Sequence, residues 1–125
     1  MSDALLQTTV AEFNRRRYAE AGRAAAAALA EARGRDEAFW QGLCEICDGY
    51  TNLLTGRLPE AERKLVSAMQ TLRHFGYQYR NFEVTAALAG VRKGVAEIRA
   101  VRKQQKRLFD VSLLPQLRLA AEADD

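Results

Sequence analysis

Histidine is almost absent from this 125-residue chain, which holds one, His74, beside only two cysteines, Cys44 and Cys47. With one His and two Cys, a metal site built from several imidazole or thiolate ligands within one chain is nearly excluded. The cysteines lie three residues apart in one apolar segment. They are too close to staple a fold, and free thiols of that kind suit a reducing cytoplasm. Long apolar runs are missing as well. The longest bland stretch, Ala24 to Ala30, is bounded by Arg23 and Glu31 and falls far short of the roughly 18 residues of a membrane span. Met1 to Leu6 has neither a basic n-region nor a continuous apolar h-region. No secretory signal is expected there, and a cytoplasmic location is the expectation. Charge of one sign is modest: 19 Lys and Arg against 16 Asp and Glu leave +3, far from a charge-driven polycation.

What is present favours helix. Two prolines and eight glycines leave long stretches without breakers, and the abundant Ala, Leu, Arg and Glu are strong helix formers. A hydrophobic share of 48% can fill a core, and the length fits one domain. No segment sustains the alternation of β-branched residues that marks strands. The chain therefore reads as all-α, a single domain over 1–125. The expected architecture is a compact bundle of about five helices, with a core over 2–76, a long basic helix over 80–108 and an apolar tail over 109–125.

Punctuation places the helices. The first runs from about Asp3 to Arg16 behind Ser2 or Asp3 as N-cap, with Leu6, Val10 and Phe13 at helical spacing. The second starts near Tyr18 and carries small residues to Ala32, where Gly34 stops it. Asp36 is the expected cap of the third, whose stripe is Phe39, Leu43, Ile46, Tyr50, Leu53 and Leu54, ending at Gly56. Pro59 opens the fourth, with Glu60 and Glu62 at its positive end, and Ala61, Leu65, Ala68, Met69 and Leu72 face inward toward an end near His74. Gly76 to Tyr79 reads as a loop. In the fifth helix Val84, Leu88, Val91, Val95 and Ile98 step by four and three, the spacing of a coiled-coil seam. Gly90 and Gly94 permit close approach of a partner helix. The Leu-rich tail, from Leu108 to Leu119, should dock on its own bundle or on a neighbouring chain before the acidic end at Glu122 to Asp125.

Two segments resemble a known family. Phe13-Asn14-Arg15-Arg16-Arg17-Tyr18, followed by Glu20-Ala21, and Phe39-Trp40-Gln41-Gly42-Leu43, followed by the Gly56 turn, are similar to the prokaryotic helical family called "domain of unknown function 309". The resemblance covers roughly Leu5 to Phe75. It implies a compact helical bundle with antiparallel, tetratricopeptide-like pairs, and Leu54 to Ala61 looks like the opening of such a helix. The family's polar signature is a His-Glu pair after the tyrosine, a further Glu, and a second His in the third helix. Here those positions hold Gly22, Arg23, Ala26 and Asn52, leaving Gln41 and Glu45 as the polar candidates on that face. An acid-base pair is thus missing where the family keeps one.

The remaining candidates each have a functional and a plain reading. Cys44 and Cys47 have CxxC spacing but lie inside a helix among Trp40, Leu43 and Ile46, so buried structural thiols are the expectation. His74 suits the negative end of the fourth helix. Glu45 and Asp48 share a helix face, and with Arg23 nearby they read as salt-bridged or solvated. Tyr18, Glu20, Trp40, Gln41 and Glu45 are the residues that would line a small-molecule or hydrolytic pocket between the second and third helices. Arg92, Lys93, Arg99, Arg102, Lys103, Lys106 and Arg107 make the fifth helix basic, fit either for a polyanion or for solvent. The reading that follows is a non-enzymatic interaction or scaffold module without cofactor or metal, whose partner is a second copy, as a homodimer through the fifth helix or tail, or another protein. Nucleic-acid or polyanion binding and the inter-helix pocket stand as alternatives.

Overall fold

Propensity, glycine stops and the Pro59 start divide the chain into five helices: α1 (Ser2–Asn14), α2 (Tyr18–Glu31), α3 (Arg35–Leu54), α4 (Leu58–Leu72) and α5 (Val84–Arg102). The structure, a computed structural model, describes residues 2–120. The expected acidic end at Glu122 to Asp125 lies outside them. The fold is an all-α bundle with one small hairpin, β1 (Gln78–Tyr79) pairing antiparallel with β2 (Phe82–Glu83). No helix among the described residues is long and apolar enough to cross a membrane.

Each helix packs on its neighbours in sequence, and glycine decides how closely. Leu72 and Leu65 of α4 drop onto Gly42 and Gly49 of α3, an antiparallel register in which both pairs recur at seven-residue spacing. A Cβ on Gly42 would stand 2.5 Å from Leu72 Cγ. The bundle is held by fully buried aromatics, Phe13, Phe39, Trp40, Tyr50 and Phe82. Phe13 meets Tyr18 edge-on at 4.8 Å and Tyr50 at 5.7 Å, the arrangement that ring quadrupoles favour.

The fifth helix departs from the expected 80–108 at both ends. At its start, Arg80 and Asn81 take φ of 51° and 64°, the paired left-handed geometry of a tight two-residue hairpin. At its end, Gln104 turns left-handed (φ 63°), and the chain is drawn back on α5. There the Lys106 ammonium and the Asp110 amide both donate to Glu97, at 2.7 and 3.0 Å. Lys106 and Arg107 therefore sit in a turn, not on the helix.

The apolar seam is used within the chain. Val84, Val91, Val95 and Ile98 are buried in the core and Leu88 packs at its edge, so their burial requires no second copy. The two α5 glycines are notches of the same bundle: Gly94 seats the Tyr50 ring and Gly90 seats Pro115 of the tail. That tail docks on its own bundle. Leu117 is buried, and the Asn14 side chain grips its backbone in both directions, donating to the carbonyl at 2.9 Å and accepting from the amide at 2.8 Å. Leu119 then bridges Phe82 at the hairpin edge.

Asp36 is not the cap of α3. Gly34 holds the capping position, and the Asp36 carboxylate is instead drawn to Arg80 (2.9 and 3.0 Å) and the Tyr79 hydroxyl. Arg80 also reaches Asp3 at 3.3 Å. This clasp ties the hairpin to the starts of α1 and α3.

Candidate functional site

Of the five residues expected to line a pocket, Gln41 and Glu45 meet on one face of α3, and the set as a whole is not brought together. α2 and α3 run antiparallel, so Tyr18 at the start of α2 lies beside Tyr50, ring centroids 5.5 Å apart, near the end of α3. Trp40 lies ten residues earlier on α3, about 15 Å away along the axis, bordering a cleft with Leu5, Ala28 and Ala32. Tyr18 and Trp40 are core side chains. Glu20 and Gln41 are exposed. The space between α2 and α3 is occupied by small side chains, with Ala21, Ala25 and Ala28 all buried. Burial raises the Tyr18 and Tyr50 phenols above their ordinary range, so both stay protonated.

Glu45 differs from its expected salt-bridged or solvated role. It is buried and faces α4, where Ser67 Oγ donates to it at 2.8 Å and Gln41 Nε2 at 3.4 Å. Arg23 pairs with Glu20 at 3.7 Å, and Asp48 reaches Lys64 at 4.0 Å on the surface. The reason is register: Glu45 sits on the α4-facing side of α3, whereas Arg23 lies on the exposed side of α2. Both thiols are free, and of the two expected to be buried Cys47 is buried and Cys44 half-buried. Burial pushes Cys44 up to about 11 and Cys47 higher still, which keeps both as unreactive thiols at neutral pH. His74 is exposed in a 3-10 turn, and its carbonyl accepts from Arg35 at 2.8 Å. No cluster of three or more His, Cys, Asp or Glu able to hold a metal ion occurs among the described residues.

The basic residues divide by partner. Arg99 and Arg102 converge on Glu62 of α4, each at 2.7 Å, and the Arg99 guanidinium, seconded by Arg102, holds that carboxyl below the ordinary carboxylate range. Lys106 is committed to Glu97. Arg92, Lys93, Lys103 and Arg107 are exposed and make no ion pair with the described residues. Between α4 and α5 lie two shallow, adjoining clefts of about 360 and 430 Å³ that share Glu62, Arg99 and Arg102. Pro59, Arg63, Val66, Ser67 and Gln70 line one, and Lys103 lines the other.

Two of these groupings were hidden in the sequence. Glu62 read only as a first-turn acid of α4, and its role as the centre of an Arg pair needs the α4–α5 register. The Asp36–Arg80–Asp3 clasp joins residues up to 77 positions apart. The only local sign was Asn81, a residue tolerant of left-handed backbone, at the expected start of the fifth helix. No family model, no curated protein and no solved structure matches the chain.

Proposed function

We propose that the chain is a non-enzymatic helical interaction module, built of tetratricopeptide-like antiparallel pairs related to the family that its Phe13–Glu20 and Phe39–Leu43 segments resemble. The residues carrying that resemblance are packing residues: Phe13, Tyr18, Phe39, Trp40, Gly42 and Leu43 are all buried. The observation that supports the reading is where the charge lies. The titratable groups named for a pocket do not converge, Tyr18 packing on Tyr50 and Glu45 facing α4, whereas a basic groove opens on the α4–α5 surface. Binding chemistry is thus presented to solvent, and acid-base chemistry is not.

The test has two arms. A photo-crosslinking amino acid placed in turn at Ala26, Gln70 and Leu108 in living cells should give a discrete adduct of higher mass from at least one surface. Purified chain should hydrolyse 4-nitrophenyl acetate and 4-nitrophenyl phosphate no faster than buffer. Turnover abolished by Glu45→Gln, or the absence of an adduct at all three surfaces, would overturn the reading. A homodimer is the second reading. Leu108 and Val111, 80% and 58% exposed in the turn after α5, favour it, and sedimentation equilibrium of Leu108→Ser against the parent chain tests it.

A further inference from the structure

We infer that the groove between α4 and α5 is the docking site for an acidic peptide segment of a partner protein, an inference that rests on the interaction-module reading above. Its basic wall follows helix geometry. Arg92 and Arg99 of α5 and Lys103, the residue that caps its C-terminal end, fall seven and four residues apart, which places them along one stripe about 16 Å long. Arg99 meets Glu62 at 2.7 Å, and Arg92, two turns earlier on α5, stands about 10 Å along the axis, beyond the residues that line the clefts.

The groove is charged but not neutralised. Arg63, Arg99, Arg102 and Lys103 face a single carboxylate, Glu62. That carboxylate orients rather than cancels. It takes one donor from each arginine, and the side chains of Arg99 and Arg102 remain 51% and 42% exposed. A guanidinium carries five N–H donors, so each keeps most of its fork for an incoming carboxylate, held in one geometry by the shared bond to Glu62. Uncommitted cations at both ends of the stripe, Arg92 and Lys103, match an acidic segment with carboxylates one to two helical turns apart.

The lining separates a peptide from a nucleic acid. Pro59 and Val66 offer apolar contacts to side chains, and neither cleft has an aromatic residue on which a base could stack. Glu62 also sets a fixed negative charge in the middle of the groove, where a continuous phosphate backbone would have to pass.

Fluorescence anisotropy of the full chain tests the inference with three labelled probes. They are a 12-residue peptide with Glu at helical i, i+4, i+7 spacing and Leu between, its Gln-for-Glu counterpart, and a 12-nucleotide single-stranded DNA. At about 50 mM salt the acidic peptide should bind at least tenfold more tightly than the Gln peptide and weaken as salt screens the charges. R92Q/K103Q should lower its affinity tenfold or more with an unchanged melting temperature, whereas Arg107→Gln, off the groove, should leave binding unaltered. No binding of the acidic peptide, undiminished binding by R92Q/K103Q, or DNA bound as tightly as the peptide would each overturn it. An adduct at Ala26 or Leu108 in cells would then leave the module reading standing without this groove.

Discussion

Replacing Gly42 with alanine pits two opposed effects against each other, and the structure says which wins. Within a helix the change from Gly to Ala favours folding by about 1 kcal/mol. At Gly42, however, the new methyl would stand 2.5 and 2.6 Å from Leu72 Cγ and Cδ2, roughly 1 Å inside the carbon–carbon optimum of about 3.5–4.0 Å. Leu72 is fully buried and cannot swing into solvent, so the overlap must be relieved by moving α4. Overpacking of this kind costs about 1–3 kcal/mol, and the expected net result is a destabilisation of up to about 2 kcal/mol. The control is Gly22→Ala on the next interface, where the nearest atom, Cys47 Cβ, is at an ordinary 3.4 Å. There the helix term acts alone, and a gain of up to about 1 kcal/mol is expected. Urea unfolding followed by circular dichroism at 222 nm should give shifted midpoints and a common slope. Adding Leu72→Ala closes a double-mutant cycle. That truncation, worth about 2–5 kcal/mol in a well-packed core, should cost less on the Gly42→Ala background, with a coupling of about 1–2 kcal/mol. If Gly42→Ala matches Gly22→Ala in stability and the cycle shows no coupling, α4 does not seat on α3 as described.

Other expectations follow from the same contacts. Acid should destabilise the fold. The folded values of Asp36 and Glu62 lie below 3.8 and 4.5 because of Arg80 and Arg99, so their contribution is complete above those ordinary values and is lost as pH falls through the folded ones. The melting temperature should therefore be level from pH 7 to about 5 and drop below about pH 4, and Asp36→Asn with Glu62→Gln should flatten that drop. With a thiol-reactive disulfide reagent at pH 8, Cys44 should react slowly and Cys47 only on unfolding, since burial raises both thiols; rapid reaction of both in the native chain would refute the packing of α3. Asn14→Ala should remove both bonds to Leu117, at about 1 kcal/mol each. It should speed tryptic cleavage at Arg107 and Arg118 without changing the helical circular dichroism signal of α1 to α4.

The bundle was legible because its evidence is local. Periodic apolar residues, Gly34, Gly56 and Pro59 place α1 to α4 within two or three residues of their observed bounds, since each boundary rests on contacts within one turn of helix. The CxxC pair was legible for the same reason: its mid-helix position puts it away from any helix N-terminus that could activate a thiolate. The fifth helix was misread at both ends because those limits are long-range events. The first is a hairpin clasped through Arg80 to Asp36, and the second a turn captured by Glu97.

Tertiary structure alone decided which side chains meet. The Tyr18–Trp40 pocket dissolved because antiparallel packing carries those residues to opposite ends of a helix pair. The valine seam and the Gly90–Gly94 pair are in one dimension indistinguishable from a dimer interface, but the seam is buried in the chain's own core and the glycines seat Pro115 and Tyr50 of the same chain. The evenly basic α5 was sorted by Glu62 and Glu97 into cations already engaged and cations left open to solvent. Periodicity determines which face of a helix is apolar or charged. What that face meets depends on register between segments far apart in sequence, and no local pattern encodes it.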